Sequence, residues 1–439
     1  FLRAHPEITT IEALLPDCNG IMRGKWLPRH KLGKIFDGEL KLPKTALSLD
    51  IWGRDVEELV FASGDADGIC RPVEGSLLTT PWSPGAQHGQ VMLSMFDGDG
   101  TPYMGDPRHV LKQVVSRFQE AGWKPVVAAE LEFSLVHWDN LTPGHTCPSP
   151  EGGTPVGGNM YSLDVFNQHQ DMMEDLRLAC ELQDLPFDGV VKESAPSQYE
   201  INMQHVDSPV LAAKQIMMMK RLIKGVAAKH GLIASFMAKP SAELPGSGLH
   251  LHCSLQNAEG ENLFALVDEK APAALRHFIG GLQTYLPEAF LLLAPNINSY
   301  KRFAGDRSMP INLEWGYDNR TTGLRVPYGP PEEGRVETRV IGADANPYLM
   351  IAAILSAGLL GLEEAIEPTA ASEEDCWELT TNLPDNLDQA LVNLDESTKM
   401  ADLMTRDFLD VFASIKRNEL QDYNIRISSW EVSYLGSML

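Results

Sequence analysis

Apolar residues recur at helical spacing in blocks near 107–122, 164–184, 208–230, 271–290 and 346–364. Short runs of strand character separate them: "KPVVAAELEFSLV", "SQYEINM", "SGLHLHCSL" and "RVETRVI". The pair Asp106-Pro107 is a helix start, and Asn346-Pro347 is another. The first hundred residues differ, with many turns and short β-type runs. In "IEALLPDCNGIMRGKWLP" the Asn19-Gly20 pair between two apolar stretches predicts a hairpin. The pattern therefore predicts a small sheet domain over 1–104 and a larger domain over 105–439. In the larger one, helices are interspersed with an antiparallel sheet, which makes the fold class α+β. Neither a Walker loop nor a G-x-G-x-x-G sequence occurs, so a nucleotide would be held some other way. The run Tyr348–Leu362 is too short to span a bilayer and predicts a buried helix. The Gly- and Pro-rich stretch from Asn140 to Asn159 predicts a surface loop.

Composition narrows the function classes. The chain of 439 residues is 44% hydrophobic, enough for a large core, and carries 36 basic against 60 acidic residues for a net charge of −24. That balance argues against nucleic acid as a partner, because phosphate-backbone binders concentrate Lys and Arg. Six widely spaced cysteines show neither a disulfide rhythm nor metal-knuckle spacing, and the opening "FLRAHPEITT" lacks a basic-then-apolar export pattern. A cytoplasmic protein, not a membrane one, is the expectation.

The chemistry lies on the strands. Side chains two apart on a strand share a face. That pairs Glu130 with Glu132, His250 with His252, and Glu337 with Arg339, each inside an otherwise apolar run. Taken singly, a glutamate pair reads as a solvated strand face, and a histidine pair reads as hydrogen-bonded structural residues no less than as ligands. Repetition over several strands changes the reading. Carboxylates crowded into one pocket resist ionisation unless cations neutralise them, and divalent metal meets that need. Glu193 and Glu200, in "KESAPSQYEIN", extend the cluster. Five carboxylates with one imidazole form a hard donor set that suits Mg²⁺ or Mn²⁺, two ions rather than one, and disfavours structural zinc. Arg320, Arg325 and Arg339 follow in "NRTTGLRVP" and "VETRV". Cations beside a metal site are tolerated where an anionic ligand lies between them, which points to phosphoryl transfer.

These segments resemble the glutamine synthetase family: "DCNGIMRGK", "AELEF", "KESAPSQYEI", "FMAKP" with "GSGLHLHCSL", "NRTTGLRVP" and "RVETRVIGADANPYL" stand in the family's order over nearly the whole chain. The resemblance implies a β-grasp N-terminal domain and a larger catalytic domain. It also implies homo-oligomeric rings, a dodecamer of two hexamers, with each active site between neighbouring subunits. By motif position, Glu132, Glu193 and Glu200 resemble the ligands of one metal, and Glu130, His250 and Glu337 those of the other. His252 and Ser254 resemble contacts to ATP phosphates, and Arg325 a further ATP contact. Arg302, Arg320 and Arg339 resemble the clamps on glutamate and the γ-phosphate, while Gly246 would offer backbone to the glutamate amino end.

Departures from the family pattern refine the expected reaction. The ammonia-using enzymes carry a flap glutamate; alignment on Arg302 and Pro310 puts Ser308 in its place, with Asp306 the alternative for the flap's work. A neutral hydroxyl neither acts as that base nor closes a negative cage around ammonium. This resembles the γ-glutamyl-amine ligase branch, which joins L-glutamate to an organic amine with ATP through γ-glutamyl phosphate. Asp50 stands where the family has an aspartate that meets the amine from the adjacent subunit, and Trp52 beside it offers an aromatic wall. Pro245 replaces the usual Asn before Gly-Ser-Gly, and "WELTTNLPDNLDQAL" lacks the tyrosine that regulated relatives modify. The competing readings are an ammonia-using glutamine synthetase and a non-catalytic relative.

Overall fold

The computed structural model of the chain describes residues 1–141, 143–144, 146, 157–303, 309–377, 379, 383–436 and 438–439. The flap candidates Ser308 and Asp306, Cys147 and much of the Gly- and Pro-rich stretch lie outside them.

The N-terminal part holds six strands: β1 (Thr10–Pro16), β2 (Met22–Pro28), β3 (Lys41–Pro43), β4 (Asp67–Pro72), β5 (Leu78–Thr79) and β6 (His88–Phe96). They form one sheet in the order β2-β1-β6-β4-β3, with β5 on β6; β1 and β6 run parallel and the other pairs antiparallel. The β1–β2 hairpin closes through Asp17–Ile21, where Gly20 takes φ 71° and its N–H bonds the Asp17 carbonyl at 3.0 Å. A small core of Ile11, Leu15, Leu42, Cys70, Leu93 and their neighbours fills this part.

Eight further strands build the second sheet: β7 (Lys124–Val136), β8 (Phe187–Lys192), β9 (Gln198–Met203), β10 (Ile233–Ser235), β11 (Leu249–Gln256), β12 (Trp315–Tyr317), β13 (Leu324–Val326) and β14 (Val336–Thr338). The order is β12-β13-β14-β11-β7-β9-β8, with β10 on β7, and every pair but β12 with β13 is antiparallel. Two sheets with surrounding helices make the chain α+β, as its patterning predicts. The strand expected in "RVETRVI" is only three residues long, with one further bond in the same register from the Arg339 N–H to the Gly323 carbonyl at 2.9 Å.

The helices Pro107–Glu120, Pro209–Lys229, Ala273–Ala289 and Pro347–Glu363 fall where the apolar periodicity places them. Asp106 and Asn346 cap two of them by accepting N–H bonds from Arg108 and Tyr348. The Pro347–Glu363 helix is buried from Pro347 to Gly361, as its uninterrupted apolar run requires. It packs on Ala273–Ala289 through Gly281 and Gly361, where a Cβ on either would come within 2.7 Å of the other's backbone. Among the described residues no helix is long and apolar enough to cross a membrane.

Candidate active site

Strands β14, β11, β7 and β9 lie side by side, and their register decides which side chains meet. His250 is the cross-strand partner of Glu130, Glu132 of Glu200, and Glu337 of both His252 and Arg325. Registered partners point to the same face, so four strands deliver their polar residues to one place. His250 Nδ1 lies 3.1 Å from Glu130 Oε2, and His252 Nε2 lies 3.0 Å from Glu130 Oε1. His250 also stands 3.9 Å from Glu132 and 3.7 Å from Glu337.

Two groups of donors here are compact enough to hold an ion: Glu130, His250 and Glu337, and Glu132, Glu200 and His250, each with ligand atoms within 4.8 Å of one another. They share His250. Glu193 is not in either group, although its carboxyl is near enough to feel Glu132 and His250.

The electrostatics are those of a site made for added cations. Burial, and then the charges of Glu130, Glu132 and Glu193, push Glu200 up to about 9. Burial and then Glu132 raise Glu193 as well. Burial acts the same way on Glu130, but the two imidazoles bonded to it outweigh that and hold it below the usual carboxylate range. Glu337 is fully buried; Arg339 and the histidines overcome its desolvation and keep it at about 2. Arg339 Nη1 donates to Glu337 Oε1 at 2.6 Å and Arg325 Nη1 to Oε2 at 2.9 Å. Arg325 is tied further to Asp318 at 3.1 Å. Crowded hard oxygens that resist their own ionisation fit divalent cations of the Mg²⁺ type. Arg339 Nε is buried without a hydrogen-bond partner among the described residues, which leaves a donor for an anion.

Arg302 lies against the loop that enters β11. A Cβ on Gly246 would meet the Ala238 carbonyl oxygen at 2.4 Å and Arg302 Cγ at 2.9 Å, and one on Gly248 would meet Arg302 Nη2 at 2.3 Å. Only hydrogen at these positions lets the guanidinium reach past the loop to the Ile341 carbonyl, which it bonds at 2.8 Å. Ser254 shares the strand face of His250 and His252 and is half-buried.

Other candidates stand apart. Arg320 is exposed on the turn before β13, and no hydrogen bond or ion pair among the described residues joins it to the cluster. Asp50 belongs to the N-terminal part and is fully buried. Its Oδ1 accepts from the N–H groups of Trp52 and Arg54 at 2.9 Å, and its Oδ2 from Arg54 Nε at 2.8 Å. The Trp52 ring is half exposed, with the guanidiniums of Arg54 and Arg426 at 4.5 and 5.8 Å from it.

One residue that is not among the sequence candidates proves central. Gln198 Nε2 lies 3.4 Å from Glu132 Oε2, 2.9 Å from the Gly246 carbonyl and 3.3 Å from Ser247 Oγ, while its Oε1 accepts from the Ala195 N–H at 3.1 Å. It ties the Glu193 segment to the Gly246 loop. Its position two residues before Glu200 on the same strand was the available signal.

Comparison with known proteins identifies this arrangement. The family model described as glutamine synthetase, catalytic domain, matches residues 104–435. The gamma-glutamylputrescine synthetase PuuA of Escherichia coli (strain K12) is 35% identical over 446 residues, spanning 99% of this chain and 93% of that protein. The glutamate–isopropylamine ligase of a Pseudomonas species is 31% identical over 459 residues, spanning 99% and 96%. A solved structure described as apo GmaS without ligand superposes with a TM-score of 0.86 at 28% identity, covering 99% of this chain and 98% of that one. With a family match along residues 104–435, and relatives at this identity along almost its full length, the chain belongs to the glutamine synthetase family of ATP-dependent carbon–nitrogen ligases.

Proposed function

We propose that this enzyme joins an organic amine to the γ-carboxyl group of L-glutamate, with ATP as the activating co-substrate. The observation that carries the reading is the convergence of Glu130, Glu132, Glu200, His250 and Glu337 on one sheet face with Arg339 and Arg325 alongside. The amine branch is supported by two relatives whose names specify putrescine and isopropylamine. Ser308, where ammonia-using enzymes carry a glutamate, supports it too.

A γ-carboxylate is a poor electrophile, so it is first activated. Its oxygen attacks the terminal phosphorus of ATP, the bond to the bridging oxygen breaks, and ADP leaves. The amine nitrogen then attacks the acyl carbon, the carbon–oxygen bond breaks, inorganic phosphate departs and the nitrogen loses a proton. Glu130, His250 and Glu337 would hold one divalent ion, Mg²⁺ or Mn²⁺, and Glu132, Glu200 and Glu193 another. When bound, the ions neutralise charge on the phosphate oxygens.

The remaining roles fall to the chain's own donors. Arg339, fixed by Glu337, presents its free Nε to the transferring phosphoryl group, and Arg320 closes on the same group. His252 and Ser254 contact ATP phosphates, and Arg325 makes a further nucleotide contact. Arg302 clamps the glutamate carboxylate, with the Gly246 backbone at the amino end. Asp50, its oxygens held within its own turn and by Arg54, would act by ordering the loop that presents half-exposed Trp52 to the amine in the site of a neighbouring subunit.

The same reading gives residues 1–104 to a β-grasp domain and 105–439 to the catalytic domain; the separate small core supports it. It also places the enzyme in the cytoplasm, in rings of two stacked hexamers. The terminal helix Ser429–Leu435, which buries none of its residues and leaves Trp430, Val432 and Tyr434 exposed, supports assembly.

The test is phosphate release from ATP, glutamate and Mg²⁺ with ammonium or with a panel of amines including putrescine and isopropylamine. The expected result is a kcat/KM for at least one amine well above that for ammonium. Saturation by millimolar ammonium with no gain from any amine would assign the enzyme to the ammonia-using branch. No glutamate-dependent turnover at all would make it a non-catalytic relative.

A further inference from the structure

A cavity of about 300 Å³ lies between the β1–β2 turn and the Pro209–Lys229 helix. None of the active-site residues described above lines it. Its apolar walls come from Met22, Trp82 and Met217, and its charge from Lys220, Arg221 and Lys224; no acidic residue lines it. Trp82 lies flat on the helix because position 225 is glycine, where a Cβ would come within 2.4 Å of the indole.

The three cations are not equally neutralised. Arg221 donates to the Glu12 carboxylate and to Gln90 Oε1, although Glu12 is shared with His88. Lys220 is buried and donates to two backbone carbonyls, Ala343 at 2.7 Å and Ala345 at 2.9 Å. An ammonium has three donors, so one is left. Lys224 is exposed at the cavity, and no ion pair among the described residues holds it or Lys220; the one carboxylate whose charge reaches Lys220 is that of Asp344, whose Oδ2 accepts from Asn296 and Ser299 instead.

Residues four apart on a helix are neighbours, and like charges there repel. Both ammoniums stand against the same ring, Phe236, at 5.6 and 5.5 Å. Burial and then Lys224 bring Lys220 down to about 7. In a chain with 60 acidic residues and 36 basic ones, two adjacent lysines in one cavity with no ion pair to either are an arrangement that an anion would relieve.

We infer that this cavity binds a small organic anion, its carboxylate or phosphate between Lys220 and Lys224 and a short apolar body against Trp82, Met22 and Met217. The volume is at the lower end of the range for small-molecule sites. An entering anion meets exposed Lys224 first and buried Lys220 behind it.

The test is calorimetric titration of the full-length enzyme with succinate and, separately, with inorganic phosphate at low salt. Mg²⁺, glutamate and a non-hydrolysable ATP analogue are kept saturating so that the active site takes up neither probe. The wild type is expected to bind one succinate per chain, more weakly as salt is added. Lys224→Gln should weaken this by about ten-fold or more while keeping basal turnover, which also reports that the variant is folded. Trp82→Leu should weaken succinate and leave phosphate unchanged. Equal binding by wild type and Lys224→Gln would overturn the site. So would no binding at millimolar concentration, the result expected if a carboxylate of a second copy fills the cavity. Binding of phosphate alone would overturn its organic character.

Discussion

His250 and Glu130 are registered partners on adjacent antiparallel strands, with Nδ1 and Oε2 3.1 Å apart. The same imidazole belongs to both donor groups, so it is the point where the two halves of the site join. Each predicted consequence follows from a contact of that kind.

Glu132→Ala should abolish turnover and leave the protein folded. Glu132 supplies an oxygen to one donor group, and its Oε2 accepts the Gly248 N–H at 2.7 Å. A loss of at least about 10²-fold in phosphate release is expected, with stability lowered by about 1 kcal/mol for the hydrogen bond. Mg²⁺ or Mn²⁺ should raise the Tm of the wild type, by about 2.7 kcal/mol of stability at a hundred times Kd, and should raise that of the variant much less. Turnover persisting in Glu132→Ala would remove the metal assignment.

Gly248→Ala should act on glutamate binding. The added methyl would lie 2.3 Å from Arg302 Nη2 and 3.1 Å from His250 Nε2, so the guanidinium must move. The variant is expected to fold with about 1–3 kcal/mol less stability and to raise KM for glutamate more than KM for ATP. Steady-state kinetics with each substrate varied in turn measure the difference.

Arg339→Leu should destabilise the protein as well as inactivate it. It leaves the fully buried Glu337 with Arg325 as its one remaining guanidinium. Removing one of the two guanidiniums of a buried carboxylate costs about 1.5–3 kcal/mol. Arg339→Lys keeps the charge but not the fork, so it should lose less stability in urea denaturation while remaining impaired in turnover.

His169 should make stability depend on pH. It is buried between Tyr199 Oη and Thr146 Oγ1, both at 2.8 Å. Burial and then Lys192 lower it to about 4. Its folded value lies below its unfolded one, so the unfolded chain takes up the proton first. Stability is therefore full above about pH 6.5 and falls as pH drops towards 4, by up to about 3 kcal/mol from this group. His169→Gln should flatten the wild-type curve across that window in thermal melts; parallel curves would show that His169 does not carry it.

Much of the site is legible in the chain because alternation is a local property. The strand Lys124–Val136 could be read to the residue, and the shared face of Glu130 and Glu132 followed from it. Gln198 was not legible in the same way, since three of its four contacts, to Glu132, Gly246 and Ser247, reach segments far apart in sequence. Asp50 shows the opposite limit. Its place in a motif says nothing of its oxygens, which are taken up by its own turn and Arg54.

By itself the sequence determined the α+β class, the helix and strand blocks, and the faces on which Glu130, Glu132, His250, His252 and Glu337 stand, because 3.6- and 2-residue periods are written into neighbouring positions. Tertiary structure alone decided that His250 serves both donor groups, that two arginines occupy Glu337, and that Lys220 and Lys224 share a cavity without a carboxylate. Those outcomes depend on strand register and on packing between distant segments, which no local period encodes.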